Sequence, residues 1–425
     1  MEPTLEYAQS SNHSSKPPRI CNLTRIGVIL IMATLLCGLL GLSEAQAETY
    51  EISSLASFNY TNGSSPYAGL VEYKGNFYGT TQYGGKNGFG TIFEITPSGT
   101  LTTLYNFDSS DGANPEGTLV QINGKFYGTT SEGGAYNTGT VFQFTLPAKN
   151  GEDGTLILMH SFLGANGDNP VAGLVQGTDG NLYGTTVLGG ANYDGTLFKI
   201  SPSKPYKLTT LYSFCSQKNC PDGSFPYAPV IQASNGDFYG TTSAGGTGYV
   251  GTVFEYSPGK NGSVGTLSTL HSFDSNTEGH WPYTGLVEYN GNFYGATESG
   301  GLVGTQDTGQ GTIFEVTPAG TLTTLYVFTN VANGANPYGT LVQYNGNFYG
   351  TTEGGGTYGY GTVFQVTPDG VLLTEVSFDN LMNQGDTILG SYPMAGLLEY
   401  NGSFYGTTTA GGANPYGTVF AMVAK

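Results

Sequence analysis

One phrase, Phe-Tyr-Gly-Thr-Thr, returns with small changes along this chain and places its tyrosine at Tyr78, Tyr127, Tyr183, Tyr239, Tyr294, Tyr349 and Tyr405. The intervals are 49, 56, 56, 55, 55 and 56 residues. A second phrase, Gly-Thr-(Val/Ile/Leu)-Phe, begins at Gly90, Gly139, Gly195, Gly251, Gly311, Gly361 and Gly417, and a Gly-Gly doublet separates the two phrases. Self-similarity at one such period marks a repeat architecture, in which each unit buries its apolar surface only against its neighbours.

Each unit reads as four short strands. In the first they run over Ala68 to Tyr73, Asn76 to Thr81, Gly90 to Thr96 and Leu101 to Phe107. All are rich in β-branched and aromatic residues and are bounded by Gly, Pro, Asn or Ser. Asn-Gly, a dipeptide in which both residues adopt positive φ readily, turns the first strand into the second at Asn290-Gly291, Asn345-Gly346 and Asn401-Gly402. With 68 glycines and only 10% charged residues, the composition suits strands and tight turns rather than helices.

Repeated sheets can stack openly or close radially. The termini discriminate. Tyr50 to Phe58 matches the fourth strand of a unit, whereas the chain ends in Gly417 to Val423, which matches the third. A ring lets the early strand complete the last unit; an open stack has no reason to divide a unit in this way. The expected fold is all-β, a seven-bladed β-propeller of four-stranded blades occupying residues 48–425 as one domain.

Two strands, Gly-Gly and two more strands resemble a Kelch-type blade without its tryptophan. More specifically, the Tyr-Gly-Thr-Thr, Gly-Gly and Gly-Thr-Val-Phe elements resemble the Gloeo/Verruco (GloVer) tandem repeat, over essentially the whole chain after residue 47. That resemblance implies an exported bacterial protein, secreted or held at the cell surface, and brings no established activity.

The first 47 residues read as an export leader. Lys16, Arg19 and Arg25 precede the apolar run Ile26 to Leu42, and Ala45 and Ala47 give an A-x-A cleavage pattern. An uncleaved anchor is the alternative. Beyond the leader the chain has no arginine, and the formal net charge is −18. Phosphate neutralisation needs basic residues, so nucleic acid is excluded as a partner. The expected partner is an extracellular neutral glycan or protein, bound by a monomer. Cys215 and Cys220, five apart in an exported chain, suit a disulfide staple.

Function is sought where the symmetry breaks. Six units step five residues from the doublet to the next phrase, but the fifth steps ten, from Gly301 to Gly311, adding Thr305, Gln306 and Asp307. The loop entering that unit carries His280 and Trp281, the only tryptophan. An exposed Trp there could stack on a sugar ring. The structural alternative is a plug between blades, since sister loops place Phe225 and Tyr392 in the same slot.

Glu298 and Glu353 occupy equivalent positions in adjacent units and are the candidate acids of a glycoside hydrolase, which needs two facing carboxyls. Solvated loop acids are the plainer reading. His160 and His271 fall in a slot held elsewhere by Tyr105, Tyr212 and Tyr326, which points to structure. No cofactor is implied. Asp108, Asp111, Asp168, Asp222 and Asp386 in the inter-blade loops could hold Ca²⁺, although turn formation accounts for most of them.

Overall fold

The computed structural model describes residues 50–148, 152–259, 265–274, 277–329, 331–379 and 389–424. The leader (residues 1–47) and Asp386 lie outside the described residues. Seven antiparallel blades form a β-propeller, the last being closed by the strand Tyr50–Ser57. That strand lies along Thr418–Ala424, with Tyr50 opposite Ala424 and Ser57 opposite Thr418. The early strand thus covers the edge that the final strand would otherwise leave with unpaired amides and carbonyls.

In blade one the strands are Val71–Tyr73, Asn76–Thr81, Thr91–Ile95 and Leu101–Asn106. The innermost is half as long as the sequence suggests. Its expected first half, Ala68 to Leu70, runs beside the next blade instead: the Gly69 amide donates to Thr118 Oγ1 at 3.0 Å. Backbone groups here pair across the blade boundary rather than along a ladder.

The recurring phrases have a common physical origin. A Cβ on Gly79 would lie 2.7 Å from Cζ of Phe93, so the glycine lets the ring of the second phrase lie flat on the strand of the first. Phe93 is fully buried, and burial of such a ring contributes about 2 kcal/mol. The last threonine of one phrase meets the threonine of the other, Thr81 Oγ1 to Thr91 Oγ1 at 2.8 Å, and the same distance recurs in every blade through Thr408 and Thr418. The preceding threonine reaches the neighbouring blade. Thr129 Oγ1 donates to Ala172 O at 2.8 Å, and Thr407 Oγ1 closes the ring by donating to Ala68 O at 3.0 Å. Blade five has Ala296 in this position.

The added residues of blade five form a small hairpin, Leu302–Val303 against Gln306–Asp307, with Gly304 and Thr305 at its turn. It stands off the blade as a separate ladder rather than as an irregular loop.

Candidate functional site

The blades of a propeller are arranged around an axis, and the segment entering each blade brings one side chain to the central channel. A proline precedes it every time, as at Pro66, Pro115 and Pro282, and the residue that follows is Tyr67, Glu116, Val171, Tyr227, Tyr283, Tyr338 or Met394. All seven line one cavity of about 240 Å³. Small residues follow because the backbones crowd at the axis: a Cβ on Gly117 would fall 2.7 Å from the Ala172 carbonyl. The repeated proline and the small residues after it mark this slot in every unit, but the side chain between them varies, and only the seven units taken together show it as a ring.

Four tyrosines form a continuous arc. Tyr283 stacks on Tyr338 with centroids 5.4 Å apart, Tyr227 meets the edge of Tyr283 at 4.9 Å, and Tyr67 meets Tyr338 edge-on at 5.8 Å. Among them lies Glu116, whose Oε1 accepts from Ser131 Oγ at 2.7 Å. Burial pushes the Glu116 carboxyl up, partly offset by hydrogen bonds from Ser131 and Gln82. Burial also pushes Tyr283 up to about 12, with the Glu298 charge adding to the rise. Tyr67 and Tyr338 are raised further still by burial, and each feels Glu116.

Glu298 and Glu353 join this mouth. Both are partly buried, and burial raises both carboxyls; Glu353 adds to the rise at Glu298. Glu353 also acts on Tyr67, and Glu298 on Tyr338. The two acids thus share an electrostatic neighbourhood with each other and with the cavity phenols. They are held by the inter-blade loops: Asn336 Nδ2 donates to the Glu298 carbonyl at 3.1 Å.

Trp281 lies beside them. Its amide donates to Val250 O at 3.0 Å, and its carbonyl accepts from the Glu298 amide at 3.1 Å. This clasp needs a left-handed residue, and Ser65, Asn114, Asn169, Phe225, Asn336 and Tyr392 share it, with Trp281 at φ 56°. Asparagine tolerates that conformation, whereas a bulky side chain costs about 1–2 kcal/mol. The Trp281 ring is nevertheless 43% exposed and meets the edge of His280 at 5.9 Å. Tyr392, in the same slot of the last blade, is exposed to a similar degree. His280 pairs through its backbone with Ser299, two residues before the doublet's last glycine, Gly301, from which the hairpin departs. Thr305 and Gln306 are exposed at its tip.

The profile of the Gloeobacter/Verrucomicrobia repeat matches residues 42–227, 150–306 and 303–425. The chain belongs to this family. No curated protein matches the sequence. Among solved structures, puromycin hydrolase is similar at 11% identity and TM-score 0.53, over 86% of this chain and 54% of that one. A putative 6-phosphogluconolactonase from Bacteroides uniformis is similar at 13% identity and TM-score 0.49, over 80% of this chain and 88% of that one. Trypanosoma rangeli sialidase is similar at 11% identity and TM-score 0.42, over 88% and 59%. The chain spans little more than half the length of the hydrolase and the sialidase, and likeness at these identities is one of fold.

Within the Gloeobacter/Verrucomicrobia unit, the histidine slot is a bracket for the loop that follows it. The Tyr105 hydroxyl donates to Asp111, and Tyr212 donates to Asp222 Oδ2 at 2.7 Å. His160 takes the same place opposite Asn166 at 3.0 Å, and His271 opposite Glu278 at 2.8 Å. Asp111 and Asp222 also accept loop amides, from Asp108 and Ser216, and Asp108 accepts from Ser110. Asp168 sits in a two-residue bridge with Leu188. Cys215 and Cys220 are joined in a disulfide near Asp194. With both sulfurs bonded to each other, that trio has no thiolate to give a metal.

A larger cleft of about 880 Å³ opens between blades three and four at the opposite face. Its carboxylates serve their own turns, as Asp179 does by accepting from Asn181 and Tyr183. The channel mouth is the better site.

Proposed function

We propose that this protein is an exported binding module, acting outside the cell, that takes a glycan at the channel mouth. The observation that carries this reading is Trp281: an aromatic ring held in a strained left-handed slot, exposed, and clasped to Glu298. The strain is shared with Phe225 and Tyr392 where three sister loops use asparagine, but of the aromatic residues in this slot Trp281 alone is an indole. A flat indole offers a stacking surface for a sugar face, and neighbouring carboxylates and phenols offer acceptors and donors for its hydroxyls. The strong negative charge disfavours anionic polysaccharides. Binding of a glycan panel to purified protein tests the reading. Retention that Trp281→Ala abolishes supports it; unchanged retention in the variant overturns it.

A second reading, hydrolysis of a glycosidic bond at the same mouth, is favoured by one observation. Glu298 and Glu353 are neighbouring carboxyls of which burial raises both, as suits a proton donor beside a second acid. Release of new reducing ends from a bound glycan, lost in Glu298→Gln, would support it. Intact glycan recovered after long incubation would exclude it.

A further inference from the structure

The channel offers more than hydroxyl recognition. We infer that the cavity walled by Tyr67, Tyr227, Tyr283, Tyr338 and Glu116 binds an organic ammonium group, the cationic part of the ligand that docks at this mouth. The inference deepens the binding reading and rests on its placement of the site.

Four adjoining rings enclose one side of the cavity, and a ring face attracts a cation through its quadrupole. Glu116 lines the same space and supplies a full negative charge when ionised. Hydrogen bonds from Ser131 and Gln82 offset that charge in part, but no cationic side chain lines the cavity. No lysine lines the cavity, the chain has no arginine beyond Arg25, and His271–Glu278 is the one ion pair among the described residues. A neutral ligand would bring Glu116 no counter-charge, and an anion would be repelled. A metal ion such as Ca²⁺ wants six to eight oxygens at short range, commonly from several carboxylates, and Glu116 is the one carboxylate lining these walls. A compact alkylammonium, large and weakly hydrated, suits aromatic faces with one carboxylate, and about 240 Å³ accommodates it.

Two sources share this chemistry: the protonated amine of an amino sugar and a quaternary ammonium of the choline type. Calorimetric titration of the purified protein with tetramethylammonium and with a glucosamine oligomer separates them, and each has a neutral counterpart of similar shape, neopentyl alcohol and an N-acetylglucosamine oligomer. The expected result is that at least one cationic probe binds about tenfold or more tightly than its neutral counterpart, and that Glu116→Gln weakens it by a similar factor. Preference for the oligomer assigns the amine, and preference for tetramethylammonium the quaternary group. In the unmodified protein, affinity for the cation should also fall as acid protonates Glu116, a readout independent of any variant's folding. Equal binding of charged and neutral probes would overturn the inference. So would Trp281-dependent glycan binding with no response to either cation. Cation binding without any glycan binding would leave the pocket standing and remove the glycan reading.

Discussion

The Glu298 amide donates to the Trp281 carbonyl at 3.1 Å, so the exposed indole and the partly buried acid are carried by one crossing of two loops. Any motion of the inter-blade loop moves both. The stacking surface and the carboxylate are thereby tied together through the backbone.

Trp281 separates a binding role from a packing role by stability. Asparagine performs the same clasp at Asn114, Asn169 and Asn336, each near the φ of Trp281. Trp281→Asn should change unfolding free energy by no more than about 1 kcal/mol, since relief of left-handed strain offsets lost ring contact. Removal of a packed indole costs about 3–5 kcal/mol instead. Urea denaturation reads the difference, and a loss in the larger range would return Trp281 to the interior.

His271 makes the loop before Trp281 sensitive to pH. Burial opposes its charge, but the hydrogen bond and charge of Glu278 outweigh this and raise the imidazole above 6.5. The folded state therefore holds its proton more tightly than the unfolded chain. The resulting stability is complete below pH 6.5 and disappears as pH rises through the folded value. Melting temperature followed from pH 5.5 upward should show this decline, and Glu278→Gln should flatten it. A parallel decline in the variant would assign the effect to another group.

Glu298 and Glu353 shift stability in the same direction with pH, but from a lower starting value. Burial raises each, so folding favours the protonated forms; stability is greatest below the unfolded value of 4.5 and falls as pH climbs through the raised folded values. Glu298→Gln and Glu353→Gln are expected to stabilise the protein at pH 7 and to leave it nearly unchanged at pH 4. Paired denaturation curves at the two values test this; destabilisation at pH 7 would mean that the charged forms make favourable contacts.

Thr407 tests the closure. Its hydroxyl donates to Ala68 O across the junction between the last blade and the first. Thr407→Val keeps the shape and removes the bond, at a cost of about 1 kcal/mol in unfolding free energy. Blade five tolerates Ala296 in the same position, so the variant should fold. An unchanged denaturation midpoint would show that the bond contributes nothing to holding the ring shut.

Much of the architecture follows from the chain read as text. Period, strand count and the divided last unit depend on local preferences and on a pattern that repeats, and Gly79 against Phe93 shows why both phrases recur together: one residue must lack a Cβ for the other's ring to fit. The inserted hairpin and the Trp281 slot were visible as departures from that pattern. The channel was not. Tyr67, Glu116, Tyr227, Tyr283 and Tyr338 each follow the recurring proline of their unit but lie roughly one repeat or more apart; only radial closure brings them to one axis. Convergence there is a property of the ring's curvature, which no single unit contains. For the same reason Glu298 and Glu353 look like isolated loop acids in sequence, whereas in the ring both are partly buried and Glu353 acts on Glu298 from the adjacent blade.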